Sequence, residues 1–287
     1  MVSEVWTSLK LLAWTQGYFA RAGVASPRLD AELLLAHVLS CDRVRLYLDF
    51  DKPLGAAELA AYRELVRRRA EGEPVAYLTG AKEFHGRRFR VDARVLVPRP
   101  ETELLLEAAL PALPADGAAL DLCTGSGALA VTLKLERPGA RVTATDLSAE
   151  ALEVAAANAA ALGAEVELRQ GDLFAALPSP PPRFDVVVAN PPYVPSGEWQ
   201  GLPREVRREP RLALDGGPDG LRLLSRIAAE APRFLAPGGL LLAEMHESHL
   251  EALPRLCREA GFASAEARRD LAGLPRLVVA RLGGAGD

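Results

Sequence analysis

The stretch that decides the fold reads Asp121-Leu122-Cys123-Thr124-Gly125-Ser126-Gly127. A short apolar run leads into it and an apolar run with helical spacing follows it, so it is predicted to turn a strand into a helix. Glycines at such a turn let the chain bend sharply and let a ligand approach the backbone. The letters from Gly125 to Ala130 also fit G-x-G-x-x-A, and Asp146 follows roughly twenty residues later, as nucleotide-binding α/β folds require.

Two ligands compete for this turn, a dinucleotide and S-adenosylmethionine, and a tight turn without a ligand is the third reading. Asp121 favours S-adenosylmethionine, because a carboxylate beside the loop would repel a pyrophosphate and attract the ammonium group of a methionine tail. Asp146 is predicted to accept hydrogen bonds from the ribose hydroxyls. Asp172 follows the third predicted strand and is expected at the adenine edge.

The chain around this turn alternates strands with helices. The predicted strands lie at 118–122, 141–145, 165–169, 184–189, 239–243, 262–267 and 277–281. The predicted helices lie at 127–136, 149–162, 219–235 and 248–260. This alternation predicts an α/β fold with a largely parallel, Rossmann-like sheet covered on both faces.

Upstream of the sheet, the sequence predicts two further parts. Residues 1–74 show only helical periodicity, with Ser26-Pro27 as the start of one helix and Gly72-Glu73-Pro74 as the end of another, and they predict a small helical bundle. Residues 75–98 are predicted as a β-hairpin connector that turns at Gly86. Residues 99–287 then form the α/β domain, opened by an apolar helix over 101–110.

Composition limits the class of protein. The chain has 287 residues, a formal net charge of −4 and three scattered cysteines, which predicts neither a surface that coats nucleic acid nor a disulfide framework or a metal site. No stretch reaches the roughly 18–20 apolar residues of a membrane span, and the first residues lack a signal-peptide pattern. A cytoplasmic protein without a membrane partner is expected.

A second chemical signal, Asn190-Pro191-Pro192-Tyr193, ends the strand predicted at 184–189. Ligands of open α/β sheets bind at the carboxyl ends of strands, which places Asn190 in the crevice of the glycine turn. A planar NH₂ group accepts a methyl only when both hydrogens are held, and the Asn190 side-chain oxygen and the Pro191 carbonyl are suitable acceptors. Pro191 and Pro192 stiffen the chain, and Tyr193 offers a ring for stacking. The alternative is a proline-rich strand exit.

With these motifs the chain resembles the HemK-type family of protein-(glutamine-N5) methyltransferases over nearly its whole length. The resemblance is carried by Asp30 to Leu35, Pro74 to Gly80 with Glu83-Phe84, Val97-Pro98-Arg99-Pro100-Glu101-Thr102-Glu103, the glycine turn, Asn190 to Tyr193, Glu205-Val206-Arg207, Glu209-Pro210-Arg211 and Gly216 to Gly220. The Asn-Pro-Pro-Tyr motif alone is shared with adenine and cytosine amino-methyltransferases of nucleic acids, whereas the other segments are more specific.

The resemblance implies the chemistry and the partner. The fold would be a Rossmann-like S-adenosylmethionine-dependent methyltransferase sheet, and the substrate would be the glutamine of the Gly-Gly-Gln motif of peptide-chain release factors. The residues implied to contact the cofactor are Cys123, Thr124, Gly125, Ser126, Gly127, Asp146 and Leu173, with Asn190 beside it. Asn190 to Tyr193 would hold the glutamine amide, and the N-terminal helices would bind the release factor. A monomer without a stable nucleic-acid partner is expected.

Two departures from the family pattern accompany this resemblance. Cys123 stands where the family usually has glycine, and Met245-His246-Glu247-Ser248-His249 follows Glu244 where the family often has a glycine and later a glutamine. The spacing of His246, Glu247 and His249 is not that of a metal-binding H-E-x-x-H helix and predicts an exposed polar loop.

Alternative functions remain at this stage. One is a nucleic-acid adenine or cytosine amino-methyltransferase, and another is a non-catalytic adapter that kept the fold. The basic run Arg204, Arg207, Arg208 and Arg211 is typical of a solvated or ion-paired face, but it would also suit ribosomal RNA or an acidic protein surface.

Overall fold

The computed structural model describes residues 5–180 and 182–284, which form two compact units. One unit runs to Ala81 and also contains Pro203–Arg208. The other contains Lys82–Leu202 and the residues from Glu209 onwards. Residues 1–4, at the start of the predicted helical bundle, and residues 285–287, at the end of the predicted α/β domain, lie outside the described residues. Residue 181 does too.

The first unit is helical. Its helices are α1 (Ser8–Arg21), α2 (Pro27–Val38), α3 (Arg43–Leu48), α4 (Ala56–Ala70) and α5 (Val75–Thr79). Local caps set the starts: the Thr7 hydroxyl accepts from the Lys10 N–H, and the Glu58 carboxylate accepts from the Gly55 N–H at 2.7 Å. A buried core that includes Phe19, Leu34 and Tyr62 holds the helices together.

Helix α5 corrects the predicted connector, because residues 75–79 were assigned to a β-hairpin. The Pro74 carbonyl accepts from the Tyr77 and Leu78 N–H groups, and Gly80 ends the turn in a left-handed conformation. The hairpin itself begins later, as β1 (Ala81–Phe84) and β2 (Arg87–Arg90), and it turns at His85-Gly86, both with positive φ. Gly86 is therefore a turn residue, as predicted.

The second unit contains a seven-stranded sheet of order β5-β4-β3-β6-β7-β9-β8. Its strands are β3 (Ala118–Leu122), β4 (Arg141–Asp146), β5 (Glu167–Gln170), β6 (Phe184–Ala189), β7 (Leu235–Glu244), β8 (Phe262–Arg269) and β9 (Pro275–Leu282). The strands from β5 to β7 are parallel, and β9 runs antiparallel to both of its neighbours. The strand order reverses at β3, since β4 lies on one side of it and β6 on the other.

Helices cover both faces of this sheet, as predicted. Val186 and Val188 pack into one core, whereas Val187 and Ala189 pack into the other, because successive strand residues point to opposite faces. The helices are α6 (Glu103–Ala109), α7 (Ala128–Glu136), α8 (Ala149–Leu162), α9 (Arg222–Glu230) and α10 (Ala252–Glu259). The α/β class and the helical N-terminal region are thus confirmed.

Several predicted boundaries were wrong by a few residues. The strand predicted from residue 165 begins at Glu167, and the helices predicted from residues 219 and 248 begin at Arg222 and Ala252. A 3-10 turn at Pro100–Thr102 precedes α6, where one helix from residue 101 was predicted. Before α9 the Asp219 carboxylate accepts from the Leu221 N–H at 3.0 Å, and this local turn delays the start of the helix.

Candidate active site

A cavity of about 520 Å³ lies at the carboxyl ends of the central strands, within the range of small-molecule sites. Leu122 pairs with Ala189 across β3 and β6, so the glycine turn and Asn190 emerge side by side where the strand order reverses. The predicted residues that line the cavity are Cys123, Thr124, Gly125, Ser126, Asp146, Asp172, Leu173, Asn190 and Pro192. Four other predicted residues are not among its lining, namely Asp121, Gly127, Pro191 and Tyr193.

The glycine turn has the backbone shape that the family pattern anticipates. Cys123 has a φ of 59°, in the left-handed region that glycine adopts without steric cost. The chain therefore accommodates cysteine at a position that favours glycine. Gly127 has a φ of 79°, and a Cβ there would lie 3.1 Å from the Ala155 Cβ, so this position requires glycine for close packing against α8.

Asn158 supports the turn from α8, a role that the sequence did not indicate. Its Nδ2 donates to the Ser126 carbonyl at 2.8 Å and to the Arg90 carbonyl at 3.0 Å, while its Oδ1 accepts from the Arg90 N–H at 2.7 Å. The buried Asn158 thus links the hairpin strand β2 to the glycine turn. The only trace of this role in the sequence is that Asn158 is a polar residue within an alanine-rich helical run.

Asp121 is fully buried beneath the turn. Its Oδ2 accepts from the Thr124 hydroxyl at 2.6 Å and from the Ala130 N–H at 3.2 Å. Burial raises the pKa of this carboxyl to about 7, and the nearby Asp146 adds to the rise. Its Oδ1 is buried without a hydrogen-bond partner among the described residues, as is the Thr145 hydroxyl, which lines the cavity. Unpaired buried polar atoms are costly, so the Thr145 hydroxyl in the cavity lining fits a ligand that brings a polar partner, whereas Asp121 lies behind that lining.

The other two acidic residues stand at the ends of neighbouring strands. Asp146 accepts from the Gly125 N–H and from the Ser148 N–H, both at 2.9 Å, and from the Leu147 N–H, so its carboxylate keeps some acceptor capacity for a ligand. Burial raises the pKa of Asp146. Asp172 is exposed and pairs with Arg226 at 3.0 Å, and Leu173 after it has a φ of 52°. Carboxylates of this kind suit a ligand with hydroxyl and ammonium donors, as a nucleoside joined to an amino acid has.

Asn190 belongs to a chain of hydrogen bonds that begins in the cavity wall. Its Nδ2 donates to the Thr102 hydroxyl at 3.1 Å, and Thr102 donates to Glu244 Oε2 at 2.7 Å. The Tyr193 hydroxyl donates to Glu244 Oε1 at 2.8 Å. Burial raises the pKa of Glu244, and burial together with the Glu244 charge raises that of Tyr193. The Tyr193 hydroxyl is therefore anchored outside the cavity lining, and whether its ring stacks on a substrate stays a prediction.

Thr102 and Glu244 were missed as site residues. Thr102 lies in the Pro-Arg-Pro-Glu-Thr-Glu segment, and Glu244 directly follows a buried strand, so both had a signal in the sequence. Neither position in the sequence, however, predicts a hydrogen bond with Asn190.

The loop after Glu244 differs from its prediction. It was predicted as exposed, but His249 is 2% exposed and its Nε2 lies 2.9 Å from the Asp219 carbonyl. His246 instead caps the local turn, with its Nδ1 3.3 Å from the Ser248 N–H. Among residues 5–180 and 182–284, no group of three or more His, Cys, Asp or Glu side chains could hold a metal ion.

The basic run makes intramolecular contacts. Arg204 and Arg208 both donate to the Glu71 carbonyl, at 3.4 and 3.3 Å, where α4 ends. Arg211 pairs with Asp215 at 3.2 Å and lies over the Trp199 ring. Cations at a helix C-terminus are favourable, so these contacts match the ion-paired reading of the run. No helix in the described ranges is long and apolar enough to cross a membrane.

Comparison with solved structures identifies the fold. A methyltransferase from Pyrococcus furiosus superposes with a TM-score of 0.54 at 21% identity, covering 76% of this chain and 98% of that one. A 16S rRNA methyltransferase from T. thermophilus, solved with AdoMet and guanosine, gives 0.53 at 20% identity and covers 70% of this chain and 49% of that one. The sheet thus has the Rossmann-like fold of these methyltransferases.

Sequence comparison defines the family. The PrmC N-terminal domain model matches residues 10–80, and the methyltransferase small domain model matches residues 100–201. Release factor glutamine methyltransferases from Geobacter sulfurreducens and Deinococcus radiodurans are both 44% identical, over 98% and 96% of this chain and 98% of each relative. A third, from Chlorobaculum tepidum, is 48% identical over 85% of this chain and 86% of its own. The chain belongs to the release factor glutamine methyltransferase family, as the resemblance implied.

Proposed function

We propose that this enzyme transfers a methyl group from S-adenosylmethionine to the side-chain amide nitrogen of the glutamine in the Gly-Gly-Gln motif of peptide-chain release factors. The observation that carries the proposal is Asn190, which lies in the wall of the cavity with its Nδ2 bonded to Thr102. Its Oδ1 is thereby left to accept a hydrogen from a substrate NH₂. A release factor as substrate also implies a cytoplasmic enzyme.

The chain's own residues act mainly by positioning. S-adenosylmethionine, when bound, supplies a methyl group on a sulfonium centre. The Asn190 Oδ1 and the Pro191 carbonyl would each accept one hydrogen of the glutamine NH₂, which aims the nitrogen lone pair for an in-line displacement. The N–C bond would form as the C–S bond breaks, the neutral thioether would be the leaving group, and one amide proton would pass to solvent. Two successive prolines fix these oxygens before the reaction. Tyr193, if its ring stacks on the amide plane, would oppose rotation of the substrate.

The cofactor site follows from the donors and acceptors at the strand ends. Asp121 Oδ1 would receive the methionine ammonium, Asp146 the ribose hydroxyls, and Asp172 with Leu173 the adenine edge. The turn from Cys123 to Gly127 would border the methionine moiety and the ribose. The Thr145 hydroxyl in the cavity lining supports this arrangement, since it is buried without a hydrogen-bond partner in the part of the chain that the structure describes.

Replacing Asp146 with alanine should weaken cofactor binding. Charge-assisted hydrogen bonds to the ribose are lost, which costs roughly 1.5–3 kcal/mol, or about a 10- to 150-fold rise in the dissociation constant. Calorimetry with S-adenosylhomocysteine measures the change. Asp116→Ala is the matched control, because Asp116 is exposed just before β3, at the opposite end of the sheet, and should bind as the wild type does. An unchanged constant in Asp146→Ala would refute the assignment.

Substrate identity is tested with unmodified release factor. Purified enzyme is incubated with labelled S-adenosylmethionine and release factor, DNA or RNA, and the label is expected on the glutamine of the Gly-Gly-Gln motif. Label on nucleic acid instead would support the amino-methyltransferase alternative, which the family relatives do not favour. Absence of cofactor binding by calorimetry would support the adapter alternative.

We also propose that the N-terminal helical unit binds the release factor. It carries exposed apolar side chains on and beside α3, including Val44 at 68%, Leu48 at 67% and Phe50 at 48% exposure. Val44 and Leu48 are one helical turn apart, and the Phe50 carbonyl accepts from the Leu9 N–H at 3.0 Å, which brings the exposed Leu9 alongside. Grouped exposed apolar residues mark protein interaction sites. Binding energy from this surface would hold the substrate while one glutamine enters the cavity.

The double variant Val44→Ser/Leu48→Ser should lower kcat/KM for the whole release factor at least about tenfold, since apolar interface anchors commonly contribute 1 kcal/mol or more each. Cofactor affinity and unfolding midpoint should stay unchanged, because neither side chain is buried. Leu271→Ser is the control, in the fully exposed turn between β8 and β9. Equal kcat/KM in the double variant and the control would contradict the proposal and would mean that these helices only stabilise the fold.

A further inference from the structure

The hydrogen bonds between Asn190, Thr102 and Glu244 have a fixed direction. Both Glu244 oxygens accept a hydroxyl proton, one from Thr102 and one from Tyr193, which is the pattern of an ionised carboxylate. A threonine hydroxyl has a single proton. Since Thr102 gives it to Glu244, it can only accept from Asn190, and the group facing it must be the Asn190 NH₂.

The position of the three residues makes this direction matter for the cavity. Asn190 and Thr102 both line the cavity, whereas Glu244 is 3% exposed behind them at the end of β7. Ala189 pairs with Ala243 across β6 and β7, so Asn190 and Glu244 follow paired positions on neighbouring strands. One Nδ2 hydrogen of Asn190 is used by Thr102, and with the NH₂ turned to that side the Oδ1 is the acceptor that the amide can offer to a ligand.

We propose that Thr102 and Glu244 are positioning residues that hold the Asn190 amide with its Oδ1 towards the substrate, and so select a nitrogen that carries hydrogens to donate. This inference rests on the proposed function and assigns two residues to it. The reverse amide orientation would set the Asn190 NH₂ against the substrate NH₂, so two donors would meet with no acceptor between them. We call the hydrogen bonds from Asn190 to Thr102 and from Thr102 to Glu244 the relay. The relay thus decides whether the site accepts an amide nitrogen at all.

The relay depends on Glu244 being ionised. Burial and the nearby Glu101 raise the pKa of Glu244, whereas Arg276 on β9 and the hydrogen bonds from Thr102 and Tyr193 oppose the rise. As pH falls through that raised pKa, Glu244 gains a proton that it can donate to Thr102. Thr102 is then free to donate to Asn190, so the Asn190 amide can turn its Oδ1 towards Thr102 instead of the cavity. Turnover is expected to fall on the acid side for this reason.

The first test compares two variants of Thr102. Thr102→Val keeps the shape and removes the hydroxyl, and kcat for release factor should fall roughly 10- to 100-fold with S-adenosylhomocysteine affinity unchanged. Thr102→Ser restores the hydroxyl and should restore kcat to within a few-fold of the wild type. Thr132→Val is the matched control, since the Thr132 hydroxyl on α7 is buried without a partner among the described residues. Equal kcat in Thr102→Val and Thr132→Val would overturn the proposal.

The second test uses Glu244→Gln and the pH profile. The glutamine must turn its NH₂ to one of the two hydroxyls, so kcat at neutral pH should fall about tenfold. The acid limb of the kcat profile should disappear when it is measured at saturating S-adenosylmethionine, where protonation of Asp121 no longer limits cofactor binding. A variant that keeps both the wild-type kcat and the acid limb would overturn the role of Glu244.

A third readout separates this proposal from the proposed function. The Asn190 side-chain NH₂ signals in a ¹⁵N NMR spectrum are identified as the pair lost in Asn190→Asp. They should shift in Thr102→Val and, on acidification, in the wild type but not in Glu244→Gln. If these shifts occur while the wild type methylates no release factor, the relay stands and the substrate assignment fails. If methylation occurs but the signals do not respond, the relay fails alone.

Discussion

Replacing Asn190 with alanine is expected to lower kcat for release factor methylation by roughly 100- to 1,000-fold, the range seen when one pre-positioned hydrogen-bonding group is removed from an active site. In the arrangement proposed above, the Asn190 Oδ1 is the acceptor that the hydrogen bonds to Thr102 and Glu244 leave for the substrate. Without it, one hydrogen of the glutamine NH₂ is not held, and the nitrogen lone pair is not aimed at the methyl donor.

The effect should appear in kcat more than in cofactor binding. Asn190 borders the cavity, but the acidic residues at the other strand ends are the ones proposed to hold the cofactor. Calorimetry with S-adenosylhomocysteine should therefore give a dissociation constant within several-fold of the wild type. Single-turnover kinetics with saturating release factor would separate chemistry from product release. Near-normal turnover in Asn190→Ala would show that Asn190 does not take part in methyl transfer.

The sequence was sufficient to bring the two main parts of this site together. A glycine turn after one strand and Asn-Pro-Pro-Tyr after another are predicted to meet because parallel strands end at the same edge of a sheet. In the structure, Leu122 at the end of β3 pairs with Ala189 at the end of β6, so the two motifs begin side by side. The prediction worked because it needed only strand direction and strand neighbours, which chain order in βαβ units largely dictates.

The hydrogen-bond partners of Asn190 could not be predicted in the same way. Thr102 lies 88 residues before Asn190 and 142 residues before Glu244, and periodicity carries no information about such pairs. Asp121 shows a related limit. The carboxylate was placed beside the loop by spacing, but its side chain turns under the loop to the Thr124 hydroxyl, and only packing determines that direction.

The ion pair between Arg69 and Asp30 was likewise invisible in the sequence. Arg69 Nε donates to Asp30 Oδ2 at 2.6 Å, and the side chains are only 5% and 6% exposed. Arg69 also pairs with Glu205 and donates to the Glu73 carbonyl at 3.2 Å. It therefore ties α2 and α4 to the segment Pro203–Arg208, which belongs to the helical unit although it lies far along the chain.

Replacing Arg69 with methionine is expected to destabilise the helical unit by about 3–5 kcal/mol, the cost of leaving a buried charge without its partner. Arg68→Met is the matched control, because Arg68 is 40% exposed in its pair with Glu73 and should cost no more than about 1 kcal/mol. Urea unfolding, followed by a probe in the N-terminal helices, measures both variants. Equal losses in the two variants would show that burial of the Arg69 pair does not matter.

The pH dependence of this loss has a definite sign. Burial already raises the pKa of Asp30 in the wild type, and Arg69 opposes the rise. Without Arg69 the folded-state pKa rises further above the unfolded value, so the variant retains stability at low pH and loses it as pH increases through the folded pKa. The difference between Arg69→Met and the wild type should thus be larger at pH 8 than at pH 5. A loss that is the same at both pH values would mean that Asp30 remains solvated or finds another donor, and that Arg69 acts through Glu205 and the Glu73 carbonyl instead.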